Sequence, residues 1–210
     1  MNGPAAAPAG RRRGRLIAFE GADGAGKSTQ AHLLARRLDA LETFQFGATR
    51  VGAAIRDIVL DPDRVELDDR AEALLIAADK AQHVAEIVRP ALEAGRDVVT
   101  DRFTASSLAY QGHGRGLDLA RLAAVIEFAT GGLEPDLVVL LDIEPAAVRD
   151  RLGEADRIEA AGGAFHERVR AGYLALAAAD PQRWVVIDAR GAVEEVAARV
   201  WDAVRGRLGS

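Results

Sequence analysis

Residues 21–28 read Gly-Ala-Asp-Gly-Ala-Gly-Lys-Ser, a complete Gly-x-x-x-x-Gly-Lys-Ser pattern. Such a run does chemistry only in a particular setting, after a strand and at the start of a helix. That setting is present: the apolar run Leu16-Ile17-Ala18-Phe19 precedes it and a helical pattern over 28–38 follows. Glycines let the backbone curl so that successive N–H groups converge on an anion, and the helix N-terminus adds partial positive charge. Lys27 then reaches the β- and γ-phosphates of a nucleoside triphosphate, and the Ser28 hydroxyl is offered to Mg²⁺. The loop therefore predicts ATP binding by Gly21, Ala22, Asp23, Gly24, Ala25, Gly26, Lys27, Ser28 and Thr29, with Mg²⁺ as the accompanying ion. Lys27 and Lys80 are the only lysines in the chain. Every other strong base is arginine, so a lysine at this position is less easily put down to chance.

A second signal is Val98-Val99-Thr100-Asp101-Arg102. An acid ending an apolar strand beside such a loop lies where Mg²⁺, or a water bound to it, needs a carboxylate. Arg102 would face the phosphates and could grip one with two parallel hydrogen bonds. By itself the pair also fits a strand-ending salt bridge; beside a complete phosphate loop the metal and phosphate roles are the better reading.

The third signal is Phe103-Thr104-Ala105-Ser106-Ser107-Leu108-Ala109-Tyr110-Gln111, followed by Gly112-His113-Gly114-Arg115-Gly116-Leu117. Asp-Arg-aromatic-x-x-Ser-x-x-Ala-Tyr-Gln, after a phosphate loop, resembles bacterial thymidylate kinases. So do Gly47-Ala48-Thr49-Arg50, Ala77-Ala78-Asp79-Lys80-Ala81-Gln82-His83 and Asp156-Arg157-Ile158-Glu159. The resemblance spans about residues 16–208. It implies transfer of the ATP γ-phosphoryl group to the 5′-phosphate of dTMP, giving dTDP, in a homodimer. It also implies that Asp23 approaches the sugar or phosphate of the acceptor, that Arg102 binds its phosphate, and that Ser106, Ser107, Tyr110 and Gln111 shape the pocket for base and sugar. Taken alone, Tyr110 reads as a half-buried core aromatic.

The chain departs from the family in three places. Where the family reads Thr-Arg-Glu-Pro-Gly, with an arginine for the acceptor phosphate, this chain reads Thr43-Phe44-Gln45-Phe46-Gly47. Phenylalanine cannot replace a guanidinium, so either Arg50, Arg56 or Arg102 compensates or the acceptor binds more weakly. Ile76 stands for an aromatic that stacks on the base, and Lys80 for an arginine that reads it. Lysine keeps the charge and loses the fork. The lid, about 149–163, is short and poor in glycine. These changes keep two further readings open: a kinase for another (deoxy)pyrimidine monophosphate, and a nucleotide-binding paralogue without catalysis.

In the lid, Arg149, Arg151 and Arg157 are cations able to close over transferring phosphate and exclude water; Arg157 is the leading choice. Arg190, after the last strand, is placed to lie flat on the adenine. His32, His83, His113 and His166 do not cluster and receive no metal or acid–base role.

The elements that must hold these residues alternate in kind. Apolar runs at 16–20, 97–101, 137–142 and 184–188 read as buried parallel strands, with a weaker strand within 41–46. Helical patterns cover 49–60, 68–94, 117–130, 165–179 and 192–208. Alternation predicts an α/β fold, a doubly wound parallel five-stranded sheet flanked by helices, with ligands beyond the carboxyl ends of the strands. Residues 1–14 read as a flexible tail and 15–210 as one kinase domain.

Composition excludes several other classes. The 210 residues include no cysteine, which removes disulfides and thiolate metal sites. A formal net charge of −5 argues against coating nucleic acid. No apolar run approaches the ~20 residues of a membrane-spanning helix. The twin arginines near the N-terminus lack a following apolar stretch of signal length, so the chain is expected in the cytoplasm.

Overall fold

A computed structural model describes residues 12–61, 67–148 and 157–209. Five strands form one all-parallel sheet: β1 (Leu16–Gly21), β2 (Leu41–Phe44), β3 (Val98–Asp101), β4 (Leu137–Asp142) and β5 (Trp184–Asp188). Their spatial order is β2-β3-β1-β4-β5. All six residues of β1 are buried, because it is the central strand and is covered on both faces. Its apolar run is the sequence consequence of that position. β2 lies at an edge, where burial alternates and only Thr43 is enclosed. This explains the weak strand signal there.

Register sets the site. Phe19 of β1 and Phe44 of β2 both lie opposite Asp101 of β3, so these strands end nearly level. The chain order reverses on either side of β1, which opens a crevice at its carboxyl end. The 21–28 loop lies in that crevice and leads into α1 (Lys27–Leu38), which buries Gln30, Ala31, Leu34 and Ala35 at helical spacing.

The other helices begin where side chains satisfy free N–H groups. Thr49 caps α2 (Arg50–Leu60) through the Gly52 N–H at 2.9 Å. Asp68 caps α3 (Asp69–His83), and Asp118 caps α6 (Leu119–Thr130). α1 and α9 (Val193–Leu208) cover one face of the sheet, with Ile17, Phe19, Val139 and Val200 in that core. α8 (Gly163–Ala179) and the segment after β3 cover the other, with Tyr110, Val138, Phe165 and Tyr173. Truncating a wholly buried ring such as Phe19 to alanine costs about 3–5 kcal/mol.

Three features differ from the pattern-based expectation. The single helix expected over 68–94 is α3, then a π-helical turn (Val84–Val88), then α4 (Arg89–Glu93). Pro90 explains it: proline lacks an N–H and crowds the carbonyl one turn back, and a widened turn relieves both. After β3 the chain is helical, as α5 (Thr104–Ser107) and a π-helical turn (Leu108–Gly114), where no helix was expected. Glycine is a poor helix former, but here packing needs it: a Cβ on Gly114 would lie 2.5 Å from the Phe165 ring of α8. Arg13 and Gly14, expected in the tail, make contacts with the domain. Gly14 is buried and its N–H donates to Leu92 O at 2.9 Å, while Arg13 pairs with Asp136 at 3.1 Å. The lid expected over 149–163 is only partly described: after α7 (Pro145–Val148) the structure resumes at Arg157, with a 3₁₀ turn at Glu159–Ala161. Arg149 and Arg151 lie outside the described residues. Among the described residues no helix is long and apolar enough to cross a membrane.

Candidate active site

The loop after β1 has the backbone its glycines predict. Gly21, Gly24 and Gly26 have φ of 141°, 75° and 91°. A Cβ on Gly21 would lie 2.5 Å from Leu141 O, so only glycine allows β1 to turn there. Lys27 is buried and donates from Nζ to Ala22 O at 2.8 Å, with Asp23 Oδ1 at 4.0 Å. Burial, aided by Arg102, lowers its pKa to about 8. Thr29 and Ser28 line the same cleft as Lys27. Ser28 Oγ donates to Asp101 Oδ2, while the buried Asp101 Oδ1 has no partner. A buried, unpaired carboxylate oxygen beside a serine hydroxyl is an oxygen-donor pair suited to a small hard cation. The residues therefore fit the Mg²⁺ that the loop motif implies.

Arg102 is the hub of the site. It has φ of 67°, unusual for a residue with a side chain. Its Nη2 donates to Asp23 Oδ1 and, at 3.0 Å, to the Tyr110 hydroxyl. Its Nη1 donates to Ser106 Oγ at 3.0 Å, the Tyr173 hydroxyl at 3.1 Å and Gly21 O at 3.2 Å. The Tyr110 hydroxyl donates to Asp23 Oδ2 at 2.7 Å. Burial would raise the pKa of Asp23, but Arg102 and Lys27 outweigh it and hold the carboxyl well below the usual range. Burial pushes the Tyr110 and Tyr173 hydroxyls well above theirs, so both stay protonated.

Two clefts meet at this hub. One is the phosphate-loop cleft. The other is lined by Ile76, Lys80, Ser106, Ser107, Tyr110 and Gln111, together with Phe46 and Ile158. Asp23, Gln45, Arg56 and Arg102 line both. Lys80 is almost wholly enclosed and donates to Gln45 Oε1 at 2.6 Å and Phe103 O at 3.0 Å. Burial lowers its pKa to about 8. Gln111 Nε2 donates to the buried Glu72 at 2.9 Å. Phe44 is half exposed and lines the phosphate-loop cleft. Of the three arginines able to compensate for it, Arg56 and Arg102 line both clefts; Arg50 lines neither.

Two predicted residues are placed elsewhere. Arg157 does not reach the phosphate loop: its Nε donates to Val59 O at 2.8 Å and its Nη2 to Glu72. A guanidinium held by a buried carboxylate and a carbonyl cannot at once cover transferring phosphate. Arg190 forms an exposed ion pair with Asp188 at 2.6 Å, on the loop after β5. It lies outside both clefts.

The sequence reading passed over Glu20, Glu72 and Tyr173. Glu20 carried a signal, a carboxylate inside an otherwise apolar strand. It is fully buried and accepts from the N–H groups of Phe103 at 2.9 Å and Ser106 at 3.2 Å. Glu72 gathers Gln111, Arg115 and Arg157, yet in sequence it is only an acid in a first helical turn, favourable to the helix dipole. Tyr173 sits in an Ala-rich amphipathic helix with no local mark of function.

The same architecture and motifs occur in proteins of known class. The family model for thymidylate kinase matches residues 19–200. A thymidylate kinase from Leifsonia xyli is 51% identical over 206 residues, covering 94% of this chain and 97% of that protein. One from Cutibacterium acnes is 46% identical over 200 residues, covering 93% and 98%. In three dimensions, the crystal structure of thymidylate kinase from Ehrlichia chaffeensis superposes with a TM-score of 0.77 at 27% identity, covering 91% of this chain and 99% of that one. A match of this extent, joined to an intact phosphate loop and Asp101-Arg102 pair, identifies the chain as a member of the thymidylate kinase family.

Proposed function

We infer that this chain transfers the γ-phosphoryl group of ATP to dTMP, giving dTDP and ADP. The observation that carries the reading is the meeting of two clefts at Asp23 and Arg102, one built from the phosphate loop and one walled by apolar and amide side chains. A reaction between two polyanions needs them aligned and their repulsion offset, which is work for positioning and fixed charge.

In this reading the loop N–H groups and Lys27 hold the β- and γ-phosphates of ATP. Ser28 and Asp101 would hold Mg²⁺, which supplies further charge neutralisation when bound. Arg102 receives the acceptor phosphate, and Asp23 keeps the guanidinium aimed across the junction of the clefts. Arg56 adds a second cation there, in place of the arginine absent at Phe44. Ile76, Phe46 and the Tyr110 ring form the apolar walls for base and deoxyribose, and Gln111, oriented by Glu72, presents its amide oxygen to a pyrimidine edge. Lys80, tied to Gln45, fixes the loop after β2 and keeps a positive charge near the base. Arg190, on the loop after β5, would leave its ion pair with Asp188 to lie on the adenine. Residues 15–210 act as one kinase domain with a lid at about 149–163. Exposed apolar side chains on neighbouring helices, Leu74 of α3 and Phe128 of α6, support a homodimer.

The test is ADP release at saturating ATP with dTMP, dUMP, dCMP and dGMP as acceptors. dTMP should give the highest kcat/KM. A higher value for dUMP or for the purine would reject dTMP as the preferred acceptor.

A further inference from the structure

The Arg102 guanidinium is supported from the side of Nη1 by groups that reach it from distant parts of the chain. Ser106 Oγ and the Tyr173 hydroxyl each accept from Nη1, at 3.0 and 3.1 Å. Each also donates to the same Glu20 oxygen, Oε2, at 2.5 and 3.0 Å. A hydroxyl has one proton and two lone pairs. The two hydroxyls also lie 2.8 Å apart, and whether a proton goes to Glu20 or to the other hydroxyl, a lone pair of each is left to face the guanidinium. Glu20 thus orders two acceptors for Arg102 without touching Arg102 itself. A direct contact would set a second carboxylate, after Asp23, against the charge that a phosphate needs.

We propose that Tyr173 is a positioning residue for Arg102, acting with Glu20 to hold the guanidinium in place for the phosphate of the acceptor. Three features converge on this. Tyr173 is 1% exposed and Glu20 0%, so water cannot take over either role. Arg102 has a left-handed backbone, which surrounding contacts must maintain. The Tyr173 ring stands edge-on to Tyr110 at 6.2 Å, so one side chain on α8 buttresses both the cation and the aromatic wall of the cleft. α8 begins at Gly163, directly after the described part of the lid segment, so the position of that helix bears on the aim of Arg102.

The proposal rests on the reading of Arg102 as the ligand of the acceptor phosphate, and the experiment separates the two. Binding of dTMP and of thymidine, which lacks the phosphate, is measured by calorimetry on the full chain. Arg102→Ala should weaken dTMP and spare thymidine; equal effects on both would reject the reading itself. Tyr173→Phe keeps the ring and removes only the hydroxyl. It should weaken dTMP about tenfold, the scale of one hydrogen bond to a charged group, and leave thymidine within about twofold. KM for dTMP should rise with it, and KM for ATP should stay. In the Arg102→Ala background, Tyr173→Phe should add nothing. If Arg102→Ala is phosphate-selective while Tyr173→Phe matches the wild type, or weakens both ligands equally, the positioning role is wrong. Glu20→Gln, which replaces one acceptor oxygen by a donor, should give the same dTMP-selective loss and decides the matter if Tyr173→Phe does not fold.

Discussion

Arg102 and Asp23 form an ion pair at the junction of the two clefts, and the Tyr110 hydroxyl closes the triangle, accepting from Arg102 at 3.0 Å and donating to Asp23 at 2.7 Å. Asp23 belongs to the loop expected to hold the donor, and Arg102 follows the strand that ends beside it. The pair therefore joins the two halves of the site by its geometry. A guanidinium can serve five acceptors in fixed directions, which an ammonium cannot. Arg102→Lys is predicted to lower kcat/KM for dTMP about 100-fold while changing KM for ATP by less than about threefold, as initial rates with each substrate varied would show.

Arg56 is expected to compensate for Phe44. It lines both clefts, donates to Phe46 O at 2.9 Å and sits 5.2 Å from the Phe46 ring centre. Arg56→Ala should reduce kcat/KM for dTMP at least about tenfold, the value of one charge-assisted contact. Phe44→Arg, at a half-exposed position, should raise it by less than about threefold. A large gain from Phe44→Arg would mean that the missing arginine is an uncompensated loss.

Lys27 has no substitute on the loop. Lys27→Ala should cut transfer by about 10³-fold or more with the fold intact, measured as turnover beside circular dichroism.

The pH dependence should have an alkaline limb. Burial lowers the pKa of Lys27 to about 8 in the free protein, and kcat/KM reports the free enzyme. kcat/KM for ATP should therefore fall as pH rises through about 8, when Lys27 loses its proton. Lys80 is lowered to about 8 as well, and should add a limb to kcat/KM for dTMP. Lys80→Arg cannot deprotonate in this range and should remove the second limb while leaving the first.

Folding stability should decline on mild acidification because of His83. It is fully buried, pairs through Nε2 with Thr43 Oγ1 at 2.7 Å, and burial lowers its pKa from 6.5 to about 4. Between those values the unfolded chain takes up a proton that the folded chain refuses. The contribution is thus complete above pH 6.5 and is lost as pH falls toward 4, amounting to about 3 kcal/mol. Urea unfolding at pH 7 and pH 4.5 measures it. His83→Gln should flatten that difference; an unchanged slope would place its origin in other groups.

The phosphate loop, four of the five strands and the Asp101-Arg102 pair were legible in the sequence because each is a local matter. Glycine spacing, apolar runs and strand-ending acids act within a few residues, and their physics needs no partner. The edge strand β2 was faint because only one of its four residues is buried. The helix after β3 was hidden because Gly112 and Gly114 oppose helix formation locally and are required by packing against α6 and α8. Arg157 read as a free cation because the carboxylate that holds it, Glu72, is 85 residues away. Tyr173 and Glu20 meet across 153 residues, and Arg102 and Asp23 across 79. Sequence thus determined which groups could handle phosphate. The order and register of the strands decided which of them share a site, since hydrogen bonds and ion pairs form at about 3 Å, and only folding brings residues so far apart in the chain to that distance.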